Sequence, residues 1–173
     1  MEMKHLRQYI RRTLKENYSQ SYQYVYHGTS EESGEQIEER GFDTLLVGKK
    51  SGDASNKGIS FTVEEEIAVE HAIWAWAKNG KSSEYGGALV VMQVSDLNIL
   101  PGKAFNNLWD ELGSQPAAVD YAIANGYDAV EYFDFDSGDG IEELEVLIFP
   151  HAVEVYNVRY IDPNDYPEIS TNY

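Results

Sequence analysis

The chain has 173 residues, 30 Asp and Glu against 13 Lys and Arg, a formal net charge of -17, and no cysteine. A length near 170 suits one domain, since ordinary domains run to roughly 100–200 residues, and 42% hydrophobic with 13% aromatic residues is too apolar for an acidic disordered chain. Disulfides, thiolate zinc sites and cysteine nucleophiles are excluded.

The acidity is uneven. Residues 1–16 hold five of the bases and two of the acids, leaving 28 acids and 8 bases for the rest. Such a body repels phosphate backbones, so direct duplex DNA binding is not expected, whereas a basic partner fits. Lys and Arg recur where a signal peptide places its apolar segment, and no apolar run of about 18 residues occurs. The expectation is a cytoplasmic protein without a membrane span.

In chain order, Leu6, Ile10 and Leu14 with bases between them predict a basic amphipathic helix over 1–18, docked on the acidic body. The alternation of Tyr22 to Tyr26 predicts a strand ending at His27-Gly28-Thr29, where Thr29 and Glu32 have capping-box spacing for a helix stopped by Gly41. A polar loop follows over 46–57. Gly58-Ile59-Ser60-Phe61-Thr62 reads as a strand, and Thr62 with Glu65 repeats the capping spacing before a helix over 63–78, with Val69, Ile73 and Trp76 on its apolar face. Trp74 and Trp76 are expected in the core.

Further on, a strand is expected over 88–94, a helical turn over 108–112, a helix over 114–125, and strands over 129–133, 143–149 and 153–160. The order predicts one α+β domain over 1–173: two packed small sheets flanked by helices, a core over 22–160, and a C-terminal tail over 161–173.

Three segments stand out together: His27-Gly28-Thr29 after a strand, Gly58-Ile59-Ser60-Phe61-Thr62 leading into a helix, and Glu143-Leu144-Glu145 opening a late strand. Their order, strand context and spacing resemble the ADP-ribosyltransferase superfamily over roughly residues 24–156, and its small phage and bacterial members most of all. The resemblance implies NAD bound in a cleft between two sheets, with ADP-ribose transferred to an acceptor and nicotinamide released. No metal is implied.

Cleaving the nicotinamide–ribose bond develops positive charge on the ribose, so a carboxylate is wanted beside it. Glu145, before Val-Leu-Ile-Phe, is similar to the family's catalytic glutamate. An exposed strand-end carboxylate is the alternative. Glu143, two residues earlier, projects to the same face in a strand and is similar to the acceptor-orienting glutamate of arginine-modifying members, with solvated surface charge as its alternative. Two carboxylates sharing a desolvated cleft would raise the pKa of one. His27 resembles the histidine that bonds the adenine-side ribose, against a satisfied structural histidine, and Gly28 the residue whose backbone meets the nicotinamide amide. Thr29, Ser60, Phe61 and Thr62 complete the implied NAD-binding set.

The motifs mix two branches. Ser60 stands where polymerase-like members carry Tyr, Ser60-Phe61-Thr62 looks like the toxins' Ser-Thr-Ser element, and His27 replaces the toxins' arginine. The aromatic partner for nicotinamide is then open between Phe61, Tyr85 and Trp109. The loops over 46–57 and 134–140 are expected to flank the cleft.

Residues 134–145 also carry Asp134, Asp136, Ile141 and Glu145 at calcium-loop positions, yet Asp139 replaces the turn glycine and strands replace the helices. A solvated acidic hairpin is the ordinary reading. No nucleophile elbow, phosphate loop or His-Glu-x-x-His is present. His71 reads as structural and His151 as exposed.

The leading expectation is a mono-ADP-ribosyltransferase acting on a basic protein acceptor. A different class stays open: a non-enzymatic acidic protein occupying a basic nucleic-acid-binding surface of its partner, for which the net charge and the eight acids without a base between Asp128 and Glu145 speak.

Overall fold

The structure, a computed structural model, describes residues 22–43, 57–79, 85–134 and 143–170. The helix expected over 1–18, most of the loop over 46–57, residues 135–142 of the acidic loop, and the side chains of Asp134 and Glu143 lie outside them.

The elements are β1 (Tyr24–Thr29), α1 (Glu31–Arg40), β2 (Ile59–Thr62), α2 (Glu65–Lys78), β3 (Ala88–Gln93), β4 (Ile99–Leu100), α3 (Gly102–Leu112), α4 (Gln115–Ala124), β5 (Ala129–Asp134), β6 (Glu143–Ile148), β7 (Asn157–Tyr160) and α5 (Pro167–Ser170). The mixed α+β class agrees with the sequence. In place of two packed sheets, however, the strands form one seven-stranded sheet in the order β4-β5-β6-β2-β1-β3-β7. All neighbours are antiparallel except β4 and β5. The reason is a narrow join: β1 and β2 share one registered pair, Tyr26 with Thr62, while β1 pairs with β3 over six residues and β2 with β6 over four. Strand periodicity cannot reveal which edges meet.

β3 is buried from Ala88 to Met92, as the near-continuous apolar run of a strand covered on both faces requires. On one face α1 packs against Ala88, Val90 and Val158. On the other, α2 lays Ala68, Val69, Ala72 and Ile73 over Leu89. On that same face, at the far end of the sheet, α3 and α4 bring Phe105, Leu108, Ala118 and Val119 onto Val130, Leu147 and Phe149, with Leu100 of β4 in the same cluster.

Local signals worked with shifts of a residue or two. β1 runs through Thr29, which pairs with Ala88, so the α1 cap passes to Ser30, whose Oγ accepts from the Ser33 N–H at 3.3 Å. Gly41 ends α1 with φ 73, the left-handed region glycine tolerates. Thr62 is held in the sheet by Tyr26 and Glu145; its Oγ1 accepts from the Glu64 N–H at 3.2 Å, and α2 begins only at Glu65. α4 starts after Ser114 and stops before Asn125, close to expectation.

Four expectations need correction. Trp74 is 47% exposed, not core: the side of α2 facing β1 is so close that alanines occupy it, and the indole turns outward under the Lys78 ammonium, 4.5 Å from the ring centroid. The helical turn over 108–112 is the end of an 11-residue helix. β7 is four residues long because Pro150 first opens a 3-10 turn. The stretch from 161 is not a free tail, since Ile161, Tyr166 and Ile169 pack with α2.

Candidate functional site

Facing residues across the ladders put Tyr26, Thr62, Glu145 and Tyr132 in one row over β1, β2, β6 and β5. Opposed side chains share a face, so this row lies on the face carrying α2 at one end and α3 with α4 at the other. Ser60, opposite Leu147, is on that face too. Between the two helical covers the sheet therefore presents a polar strip. Ser60, Tyr132 and Glu145 are each partly buried.

The strip is wired by hydroxyls. The Tyr132 hydroxyl donates to Glu145 Oε2, and Ser60 Oγ lies 2.8 Å from the same hydroxyl oxygen. A phenol has one proton. With that proton given to the carboxylate, Ser60 is the donor to Tyr132, and its oxygen keeps lone pairs for a ligand. Both Glu145 and Ser60 then offer acceptors, which suits a ligand bringing hydroxyl or amide donors.

His27 reaches the second motif from the opposite face. Its Nδ1 is 2.9 Å from the Ser60 carbonyl oxygen, and its ring stands 5.6 Å from those of Phe42 and Phe61. Burial pushes its pKa below the ordinary histidine value, outweighing the Ser60 carbonyl, which raises it, with a smaller lowering from His71. A carbonyl oxygen only accepts, so the neutral ring carries its proton on Nδ1 and presents Nε2 as an acceptor.

The other expected residues have different duties. A Cβ on Gly28 would meet the Ala68 carbonyl oxygen at 1.9 Å and the Ala72 amide nitrogen at 2.7 Å, so α2 requires this glycine, whatever its backbone contacts. Phe61 is 1% exposed and packs between β1 and β6, which removes it as a stacking face for nicotinamide. Tyr85, beside Tyr160, and Trp109 remain partly exposed. Thr62 shapes the turn into α2, Thr29 ends β1, and the Glu143 backbone pairs with Asp134 two residues beyond Glu145.

Two positions of the strip and its surroundings escaped the sequence reading. Tyr132 is visible only once β5 and β6 are in register. Glu131, counted in the acidic run, is 3% exposed: Oε1 accepts from the Tyr22 hydroxyl at 2.6 Å and Oε2 from the Gly102 N–H at 2.9 Å. A carboxylate at the first turn of α3 satisfies an orphan donor and the positive end of the helix. Asp128 likewise serves structure, accepting from the Asn98 N–H at 2.8 Å and lying 3.1 Å from His151 Nε2.

Among the described residues no helix is long and apolar enough to cross a membrane, and no group of three metal-ligating side chains gathers. No family model matches the chain, and neither curated proteins nor solved structures show a match.

Proposed function

We propose that this chain is a mono-ADP-ribosyltransferase that cleaves NAD and passes ADP-ribose to a basic protein acceptor. The observation that carries the reading is the joining of Ser60, from the second motif, to Glu145, from the third, through Tyr132 on the partly buried polar strip of the sheet. The narrow join between β1 and β2 divides the sheet into halves, with His27 in one and Ser60 and Glu145 in the other, His27 facing the opposite side. The acceptor character of Glu145 and Ser60 suits the ribose hydroxyls and carboxamide of NAD, whereas His27 Nε2 lies on the other face of the sheet.

In the proposed reaction the bond from ribose C1′ to the nicotinamide nitrogen breaks, and its electron pair leaves with nicotinamide. Glu145 stabilises the positive charge on the ribose. A lone pair of the acceptor side chain then bonds C1′, and the acceptor proton is lost as that bond forms. Glu143 is assigned to orient the acceptor, and His27 with the first motif to hold the adenine-side ribose.

The test is NAD titration by calorimetry on protein of verified fold. Saturable binding that nicotinamide competes is expected, and a folded protein that binds no NAD would end the proposal.

One observation favours the acidic binding protein instead. Glu32, Glu35, Glu38 and Glu39 of α1 are all exposed, and the Tyr160 hydroxyl donates to Glu38 at 2.7 Å, its pKa pushed up to about 12 by partial burial first and then by Glu38, Glu35 and Glu31. The later acidic run supports that reading less than its composition promised, because Glu131, Asp128 and Glu145 are engaged inside the fold.

A further inference from the structure

We infer that Tyr132 is a positioning residue of the site, setting the direction of the Glu145 carboxylate, and that Ser60 acts on Glu145 only through it. The inference rests on the transferase reading for its catalytic consequence but not for its geometry. Tyr132 stands directly opposite Glu145 in the β5–β6 ladder, and its ring packs against the buried cluster that α3 and α4 lay on the sheet. The hydroxyl therefore extends from an apolar base that fixes its ring. A glutamate side chain has three rotatable bonds, and ordering it costs entropy that a pre-placed donor offsets. Ser60 lies on β2, across from Leu147 and diagonal to Glu145, so its 2.8 Å contact with the Tyr132 oxygen orients the phenol proton toward the carboxylate. The relay makes Ser60 a second support of the same carboxylate.

Tyr132→Phe keeps the ring and deletes the link, while Ser60→Ala removes only its outer end. In nicotinamide release, Tyr132→Phe should lower kcat about 10- to 100-fold, the effect of a hydrogen bond to a charged group, with KM for NAD within about threefold. Ser60→Ala should lower kcat about 3- to 10-fold, and in kcat the double variant should lose no more than Tyr132→Phe alone, since the two act on Glu145 in series, a contact of Ser60 with NAD showing in KM instead. Crystal structures of the wild type and of Tyr132→Phe supply a readout free of activity: the Glu145 carboxylate should turn to another rotamer in the variant. An unmoved Glu145 with kcat within about twofold would overturn the inference, as would additive losses in the double variant. A wild type that releases no nicotinamide would strike the transferase reading instead. The Glu145 rotamer alone would then decide the positioning role, a turned carboxylate supporting it and an unmoved one ending it.

Discussion

The two ends of the sheet are covered differently, and the site proposed above falls on only one of them. The half formed by β1, β3 and β7 is packed on both faces so closely that each face uses a glycine, Gly28 beneath α2 and Gly34 of α1 against Ala88, where an added Cβ would meet the Ala88 Cβ at 2.2 Å. The half formed by β5, β6 and β2 is covered by α3 and α4 only over Val130, Leu147 and Phe149, leaving Ser60, Tyr132 and Glu145 on the strip beyond. Full burial on two faces leaves no room for polar side chains without internal partners. In the proposed reading the second half carries the reactive groups, and the first supports them and contributes His27 at the join.

The largest expected effect breaks this contrast from the scaffold side. Gly28→Ala must drive a methyl into the α2 backbone, and a loss of about 3 kcal/mol or more in urea unfolding is expected; wild-type stability would show that α2 is not held against β1 as described. Glu131→Ala comes next, with roughly 2–4 kcal/mol lost as the Tyr22 hydroxyl and the Gly102 N–H are left without their acceptor. Glu39→Ala, on the exposed side of α1, should stay within about 0.5 kcal/mol, which separates structural acids from surface ones.

A smaller effect belongs to His27, which faces the join between the halves. Its folded pKa is depressed, so below the unfolded value of about 6.5 the unfolded state binds more protons. The stability it contributes is complete above that pH and is lost as pH falls toward the folded value. Melting temperatures between pH 7.5 and 5 should fall less steeply in His27→Gln than in the wild type; parallel curves would contradict a neutral, partly buried imidazole. Ser30→Ala should cost about 1 kcal/mol for the α1 cap, measured by thermal melting.

Much of the frame was legible because its signals are local. Gly41 stops α1 where turn chemistry predicts, α4 ends within a residue of its expected end, and Val, Ile and Tyr mark β5 and β6. The two-residue β4 has too few side chains to show a period, and Pro101-Gly102 disguised the start of α3, although Pro101 before the first turn is favourable there. At the site, Glu145 and Ser60 were readable from their motifs, but Tyr132 was not, because cross-strand pairing is set by register and by the join of distant strands. Glu131 was misread for a related reason: composition gives an acidic stretch its charge, while β5 is covered on both faces there and buries Glu131 together with Ala129 and Val130. Phe61 sat in a motif yet belongs to the core, since its neighbours Ser60 and Thr62 take the other face.

The most direct measurement is nicotinamide release from NAD by the purified protein, with and without a cell extract, alongside Glu145→Gln. Release that rises with extract, labels a basic protein and drops at least about 100-fold in the variant is the expected result. No release from folded wild-type protein under either condition, or equal release by Glu145→Gln, would contradict the assignment of the polar strip as a transferase site.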